Sequence, residues 1–447
     1  MPKYSKLFKI GGIYVIKRVQ ELYNSKKREV KEAIKLIKDG DSICVPLGVG
    51  EPPTILTALS EQRRDYHNVK VRQPFPLRKY GYYDPETVEN IQHVSWFLSG
   101  TSRQGAKEGW IDVVPSSFFG IPRLIRDGFV ACDVAITMVS PMDKYGYFSV
   151  SLSPDYTMAA ISKAREVIVE VNPNVPFAYG DNKVHISQIT ALVESQDPIM
   201  VIPLPTIGPV HKAIAEYVAD FVKDGSTLQI GLGAIPDSVL MLLEDKQDIG
   251  MHTELVTDAL MHLYEKGVLT NRKKNFMPGK MVATISLGSQ KLYEFMDRNP
   301  MLEMHPVSFT NDPNIAGLND NLIAVNGSLE IDFLGQCNSE SIGPVPFSAT
   351  GGQQDFSHAA LNSKGGKSFV VLPSTAKNGQ ISRIVPTLAA GSAVTTSKNN
   401  VNYVVTEYGV AQLRGKTIRQ RAQELIAIAH PDFRSDLTMT ARKMGLM

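Results

Sequence analysis

Glu254 is a carboxylate near the start of a helical pattern, where it could take part in chemistry. Residues 250–258 predict the end of a strand that runs into a helix, with Thr253 as N-cap and Glu254 in the first turn. The apolar face of this helix consists of Leu255, Val256, Ala259, Leu260 and Leu263, and Gly267 closes it. An acidic residue in a first turn can also merely complement the helix dipole, so the pattern alone leaves both roles open.

Two glycine pairs could bring backbone N–H groups close to a ligand. Gly231 and Gly233 follow a predicted strand and precede an apolar helix that we expect to begin near Ser238. Gly351 and Gly352 open a polar stretch with little helical or strand periodicity, which could present consecutive N–H donors to an oxyanion. A tight strand-to-helix turn and a simple surface turn are the alternatives for the two pairs.

Several other kinds of site are disfavoured. The stretch that begins at Gly231 is not a dinucleotide fingerprint, because Pro236 stands where that pattern needs glycine. The nine histidines show no metal-binding spacing, so we expect no metal. Neither a G-x-S-x-G nor a G-x-x-x-x-G-K-[ST] pattern occurs, which disfavours serine hydrolases and P-loop enzymes.

Composition and charge describe an ordinary globular protein. The chain has 447 residues, 43% hydrophobic and 21% charged, so two domains are expected. A net charge of +2 gives no electrostatic reason to expect nucleic acid as a partner. The three widely spaced cysteines predict reduced thiols in a reducing compartment.

We expect a cytoplasmic protein that does not cross a membrane. The apolar run 130–139 is too short to span a bilayer and is interrupted by Asp133. The first 30 residues are rich in lysine and arginine, as in an organelle transit peptide, but Glu21 and Glu29 interrupt the basic run and favour an ordinary solvated helix.

An internal repeat organises the chain. Residues 33–56 resemble residues 217–240, and in each copy a Lys-Asp-Gly turn, at Gly40 and Gly225, ends a helical pattern and precedes a β-branched run. A second match joins the D-x-x-G patterns that begin at Asp143 and Asp332. The chain therefore reads as a duplication.

The elements between these matches predict α/β domains. Strands are expected at 42–45, 134–138, 166–171, 227–230, 281–286, 321–325, 368–372 and 403–405, with helical patterns between several of them. Such alternation favours largely parallel sheets covered by helices on both faces. The proline-bearing stretch 202–209 suggests domains at 1–205 and 206–447. Ligands of such sheets bind beyond the carboxyl ends of the strands, and the active site could lie between the halves.

Taken together, these motifs resemble the family of acetyl-CoA hydrolases and CoA-transferases, and within it the 4-hydroxybutyrate CoA-transferases. The segments that carry the resemblance are VGEPPTIL from Val49, SPMDKYGYFSV from Ser140, GLGAIPDSVL from Gly231, GMHTELVTDAL from Gly250, EIDFLGQCNSESIG from Glu330, GGQQDF from Gly351 and VVTEYGVAQLRGK from Val404. The resemblance extends over nearly all of the chain after its first twenty or so residues. The resemblance implies two tandem open-sheet domains of the NagB/RpiA/CoA-transferase type.

The resemblance also implies roles for single residues. Glu254 matches the family's nucleophile, Asn326 matches a position whose side-chain amide helps bind the oxyanion, and Gly351 and Gly352 match the loop beside the thioester. The residues implied to contact CoA in the first loop are Gly231, Leu232, Gly233, Ala234 and Ile235. The residues around Asn326 differ from the family pattern, and Glu51 and Glu407 are rival carboxylates in other matched segments.

The implied activity is CoA transfer from an acyl-CoA, expected to be acetyl-CoA, to a short-chain carboxylate such as 4-hydroxybutyrate or butyrate. It implies a ping-pong reaction through a glutamyl-CoA thioester, with CoA as substrate and covalent intermediate and no permanently bound cofactor. We expect a homodimer. An acyl-CoA hydrolase of the same family is the alternative, and sugar-phosphate isomerases and ligand sensors share the fold.

Overall fold

The structure, a computed structural model, describes residues 17–203 and 205–447. These residues divide into two compact units. The first unit comprises 17–114, 121–201 and 290–306, and the second comprises 115–120, 202–289 and 307–447. The predicted domains 1–205 and 206–447 have a single boundary. In the structure the first unit also includes residues 290–306, and the second also includes residues 115–120. Residues 17–26 are helical, and the rest of the basic N-terminal segment lies outside the described residues.

Most of the strands are short. In chain order they are β1 (Ser42–Cys44), β2 (Val69–Arg72), β3 (Ile91–Ser95), β4 (Asp112–Val113), β5 (Val134–Val139), β6 (Tyr147–Ser149), β7 (Glu166–Val171), β8 (Lys183–His185), β9 (Ala191–Glu194), β10 (Thr227–Ile230), β11 (Gly250–Met251), β12 (Leu255–Val256), β13 (Met281–Ala283), β14 (Ile285–Ser286), β15 (Leu302–Met304), β16 (Leu322–Gly327), β17 (Glu330–Asp332), β18 (Cys337–Asn338), β19 (Ser341–Ile342), β20 (Val345–Pro346), β21 (Lys367–Val371), β22 (Thr375–Ala376), β23 (Ile381–Ser382), β24 (Ile384–Val385), β25 (Tyr403–Thr406) and β26 (Gly409–Gln412).

The helices alternate with these strands. They are α1 (Val30–Ala33), α2 (Pro53–Glu61), α3 (Arg103–Glu108), α4 (Ile121–Arg126), α5 (Thr157–Lys163), α6 (Pro209–Ala219), α7 (Ala234–Met241), α8 (Asp258–Glu265), α9 (Gln290–Met296), α10 (Val307–Thr310), α11 (Pro313–Ala316), α12 (Gln353–Asn362), α13 (Ile418–Ala427) and α14 (Pro431–Lys443). Strand candidates from the sequence are all found, with ends shifted by a residue or two, except that 281–286 is divided into β13 and β14.

The first unit is built on a seven-stranded parallel sheet in the order β4-β3-β2-β1-β5-β7-β9. Its central strand β5 (Val134–Val139) is buried at every residue and is apolar except for Thr137. Such continuous apolar runs are typical of parallel strands that are covered on both faces. The predicted α/β class is confirmed for this unit.

The second unit repeats this plan with a six-stranded sheet in the order β11-β10-β16-β21-β25-β26. The strands are parallel except for β26, which runs antiparallel to β25. In both sheets the first strand of the unit, β1 or β10, lies inside the sheet, and the chain adds strands on either side of it. The neighbours β10 and β16 therefore form a topological switch point, where open α/β sheets bind ligands.

The sequence repeat is a repeat of backbone geometry. Gly40 and Gly225, in the two Lys-Asp-Gly turns, have left-handed φ angles of 80° and 76°. Asp143 and Asp332 form the same turn: the carboxylate of Asp143 accepts from the N–H groups of residues 145 and 147, and that of Asp332 accepts from those of residues 334 and 336. The prediction of two related domains is thus confirmed at the level of single turns.

Within the described residues, no helix has the length and apolar character that crossing a bilayer requires.

Candidate functional site

Glu254 lies in a bend between two very short strands, β11 and β12, and not in a helix. The predicted helix start was wrong: α8 begins at Asp258 with Thr257 as N-cap. The reason is tertiary pairing, because Leu255 and Val256 join β14 as a parallel strand. The Thr253 hydroxyl does not cap a helix, since it bonds both the N–H and the carbonyl of Ile230, each at 3.1 Å.

The backbone around Glu254 is held by hydrogen bonds on both sides. Its carbonyl accepts from the N–H groups of Thr284, at 3.1 Å, and Ile285, at 2.9 Å. Before it, Thr253 N–H donates to the Val282 carbonyl at 3.0 Å. The carboxylate therefore projects from a piece of chain whose backbone is fixed on both sides.

Gly352 lies directly against this carboxylate. A Cβ added to Gly352 would overlap Glu254 Oε2 and lie 2.5 Å from Asn311 Nδ2. Gly352 has an ordinary φ of −95°, so its role is close approach and not an unusual backbone angle. The predicted irregular loop ends here, because Gly352 is the N-cap of α12, whose buried Phe356, Ala359 and Ala360 form its inner face.

Asn311 also lies against the Glu254 carboxylate, and no pattern in the sequence indicated this residue as part of the site. Its Nδ2 donates to Glu254 Oε2 at 2.8 Å, across a separation of 57 residues. The residue is fully buried in the turn between α10 and α11. Asp312, at the start of Asp-Pro-Asn, caps α11 and so marks a helix boundary, but nothing in that local pattern points to a carboxylate so far away.

The glycine loop after β10 lies at the switch point. A Cβ on Gly231 would lie 3.1 Å from the carbonyl oxygen of Val325 in β16, so glycine fits the close packing at this point. Gly233 has a φ of 133°, which favours glycine, and the side chain of Leu232 is 55% exposed. Helix α7 begins at Ala234, so the predicted start near Ser238 was wrong. Gly233 serves as N-cap, so the helix can begin at Ala234, and Pro236 is tolerated in the first turn.

Asn326 is the penultimate residue of β16, and its side chain pairs with that of Gln229 in the neighbouring strand β10. Its Nδ2 donates to Gln229 Oε1 at 2.9 Å, and Gln229 Nε2 donates back to Asn326 Oδ1 at 3.2 Å. The structure thus brings Glu254, Gly352 and Asn311 into contact and places Asn326 beside the Gly231 loop. The oxyanion role of Asn326 stays a prediction.

The rival carboxylates have protein partners. Glu407 accepts from the N–H and hydroxyl of Ser374 at 2.8 and 2.6 Å. Glu51, in the first unit, is fully buried and accepts from Gln73 Nε2 at 2.8 Å and Arg78 Nη1 at 3.2 Å. Burial raises the pKa of Glu51 above its ordinary range, against the effect of these donors. Both groups fit structural roles.

A second carboxyl lies one turn into α12. Burial raises the pKa of Asp355 to about 7, while bonds from Phe119 N–H, Asn311 and Ser117 act in the opposite direction and Asp312 raises it further. Phe119 N–H donates to Asp355 Oδ2 at 3.1 Å. Asp355 is therefore a buried acid whose charge changes near neutral pH.

This shift predicts a pH-dependent stability. Between pH about 4 and 7 the folded chain keeps a proton on Asp355 that the unfolded chain has released, so this residue's contribution is present at low pH and is lost as pH rises through 7. Asp355→Asn should remove the effect. Thermal unfolding at about pH 5 and pH 8 should show a smaller fall in midpoint for Asp355→Asn than for the unaltered chain. Asp436→Asn, on an exposed face of α14, is the control, and equal pH slopes in all three chains would contradict the assignment.

In the part of the chain that the structure describes, no group of three or more histidine, cysteine, aspartate or glutamate side chains is arranged to hold a metal ion. The three cysteines are free thiols and are all buried.

Family models match most of the chain. The N-terminal domain of acetyl-CoA hydrolase/transferase matches residues 15–204, and the C-terminal domain matches residues 288–441. The chain is 48% identical to a succinyl-CoA:cyclohexane-1-carboxylate CoA transferase of Geobacter metallireducens, over 95% of this chain and 96% of that protein. It is 41% identical to a 4-hydroxybutyrate coenzyme A transferase of Clostridium kluyveri, over 95% and 99% of the two chains.

Solved structures agree in fold. RipA from Yersinia pestis is similar with a TM-score of 0.91 and 36% identity, over 96% of this chain and all of that one. A 4-hydroxybutyrate CoA-transferase from Porphyromonas gingivalis gives a TM-score of 0.83 and 38% identity, over 95% and 99% of the chains. The predicted resemblance is confirmed: the chain belongs to the acetyl-CoA hydrolase/transferase family and is an enzyme of the CoA-transferase type.

Proposed function

We propose that this chain moves CoA from an acyl-CoA to a short-chain carboxylate by a ping-pong reaction through a glutamyl-CoA thioester on Glu254. The observation that carries the proposal is the contact of Glu254 Oε2 with Asn311 Nδ2, at 2.8 Å, in a space that Gly352 leaves free of side chain. A carboxylate is ionised at neutral pH and needs no general base, so what it requires from the protein is placement and a site for the oxyanion.

The reaction proceeds through two covalent intermediates. A Glu254 oxygen attacks the thioester carbonyl, the C–S bond breaks, and CoA leaves as the thiolate while a mixed anhydride forms. The thiolate then attacks the glutamyl carbonyl and releases the first carboxylate, which leaves Glu254 as a CoA thioester. An incoming carboxylate reverses both steps and leaves as its CoA ester.

Neighbouring donors support this chemistry. Asn311 Nδ2 already donates to a Glu254 oxygen. It can stabilise the negative charge that develops on this oxygen when the glutamyl carbonyl carbon is attacked. We include Gly351 and Asn326 as predicted contributors to the oxyanion site, and Gly352 as the residue beside the thioester. We assign CoA contacts to the first loop, with the residues Gly231, Leu232, Gly233, Ala234 and Ile235. Its open backbone and exposed Leu232 suit a ligand that lies along it.

Substrate choice is drawn from the relatives. One relative is named for CoA transfer with 4-hydroxybutyrate, another for succinyl-CoA with cyclohexane-1-carboxylate, and a third for butyryl-CoA with acetate. We propose acetyl-CoA as donor and 4-hydroxybutyrate or butyrate as acceptor, and a panel should add succinyl-CoA and cyclohexane-1-carboxylate. Small acids that differ by one methylene are separated by only about 1–3 kcal/mol, so the panel should report kcat/KM ratios.

The covalent intermediate provides the decisive test. After incubation with acyl-CoA and no acceptor, the enzyme should rest partly as the glutamyl-CoA thioester, because the two half-reactions exchange bonds of similar energy. Borohydride reduces a thioester but spares a carboxylate, so activity should be lost only when acyl-CoA was present. Mass analysis of the tryptic peptide 247–266 should place the change at Glu254.

Steady-state kinetics supply the second arm of this test. Initial rates with both substrates varied should give parallel lines. An unmodified peptide with intersecting lines would contradict the mechanism, and steady CoA release without acceptor would identify a hydrolase, in which water reaches the anhydride. The proposal further includes a cytoplasmic homodimer that holds no permanent cofactor.

A further inference from the structure

His252 is a fully buried imidazole two residues before Glu254. Its Nε2 lies 2.8 Å from the Thr310 carbonyl oxygen, and its Nδ1 lies 3.2 Å from Asn319 Nδ2. A carbonyl only accepts, and an amide NH₂ only donates. The pair of contacts therefore selects the neutral tautomer, with the proton on Nε2 and the lone pair on Nδ1.

His252 connects the segments that carry Glu254, Asn311 and Gly352. Its own backbone N–H donates to the Leu228 carbonyl at 3.0 Å, which fixes the segment of Glu254 to β10. Its Nε2–H binds Thr310, the residue before Asn311. Its ring meets the ring of Phe356, four residues after Gly352, in an edge-on arrangement with centroids 6.5 Å apart.

Asn311 needs such an anchor because its own helices are short. The elements on either side of it, α10 and α11, have four residues each. A single turn has little stability of its own, so tertiary contacts must set its position. The Thr310 carbonyl is one peptide unit from Asn311, and a shift there moves the Asn311 amide relative to Glu254.

We infer that His252 is a positioning residue whose Nε2–H holds the Thr310 carbonyl and thereby sets the distance between Asn311 Nδ2 and Glu254 Oε2. This inference rests on the proposed roles of Glu254 and Asn311 in the reaction. His252 itself touches no reacting atom in this scheme. It should govern how fast the thioester is attacked, and should leave the affinity of the loop 231–235 for CoA unchanged.

A matched pair of substitutions tests the two ring nitrogens separately. Gln places an amide nitrogen near the position of Nε2 and can still donate to Thr310, whereas Asn keeps an acceptor near Nδ1 for Asn319 and leaves the Thr310 carbonyl without its donor. We expect His252→Asn to lower kcat at least about tenfold, with KM for acyl-CoA unchanged. We expect His252→Gln to keep most of the kcat of the unaltered chain. The rate at which the glutamyl-CoA thioester forms in a single turnover should fall in parallel with kcat.

The outcomes separate this inference from the proposed function. If both variants lost thermal stability alike and kept equal kcat, His252 would be only structural and the inference wrong. Should His252→Asn not fold, His252→Phe tests the same contact, because phenylalanine keeps a ring beside Phe356 but has no donor for the Thr310 carbonyl. A wild-type kcat for His252→Phe would overturn the inference. If Glu254→Gln kept full activity, the proposed function itself would fail, whatever the His252 variants did.

Discussion

Glu254→Gln should abolish CoA transfer, by roughly 10³-fold or more, and leave the fold intact. An amide has no anionic oxygen with which to attack the thioester. The substitution keeps the volume of the side chain, and an amide oxygen can still accept from Asn311 Nδ2, whose bond to Oε2 is 2.8 Å long. The loss should therefore appear in kcat/KM and in thioester formation, with a thermal midpoint close to that of the unaltered chain.

The rival carboxylates are the controls for this experiment. Glu407→Gln alters a side chain held by Ser374, so it should keep most of the activity of the folded enzyme. Glu51→Gln alters a buried partner of Arg78 and should act on stability. Near wild-type turnover in Glu254→Gln together with loss of turnover in either control would show that the nucleophile is a different carboxylate.

Gly352→Ala should lower kcat by about 10²-fold, the second-largest effect that we expect. The new Cβ would overlap Glu254 Oε2 and lie 2.5 Å from Asn311 Nδ2, so the nucleophile and its donor must both move. Single-turnover formation of the glutamyl-CoA thioester is the measurement, since it isolates the first half-reaction.

Gly208→Ala is a matched control for Gly352→Ala. Both glycines are helix N-caps with ordinary φ angles, −100° and −95°, so both substitutions lose the same cap preference. Among the described residues, a Cβ on Gly208 would meet only the side chain of His211, at 4.0 Å. Gly366 looks like a comparable loop glycine in the sequence, yet its Cβ would overlap the Ala360 carbonyl oxygen, so Gly366→Val would destabilise α12 and is not a neutral control. Equal activity in the Gly352 and Gly208 variants would show that the glycine loop is only a turn.

Local sequence determined the elements and their repetition. A parallel strand that is buried on both faces needs a nearly continuous apolar run, and Val134–Val139, apolar except for Thr137, can be recognised in the sequence for that reason. The turns at Gly40 and Gly225, and those at Asp143 and Asp332, depend on one residue's backbone freedom or one side chain's bonds to nearby N–H groups. Short-range causes of this kind leave short-range patterns.

Tertiary structure decided where the site's residues meet. The helix expected at Glu254 begins only at Asp258, because β12 pairs with β14, a strand 30 residues further along the chain. Asn311 reaches Glu254 across 57 residues, and the tautomer of His252 is set by Thr310 and Asn319. The family motif identified Glu254 and Gly352 as candidates, but a contact between residues so far apart leaves no spacing that the sequence could show, because it is the packing of α10, α11 and α12 around the sheet that creates it.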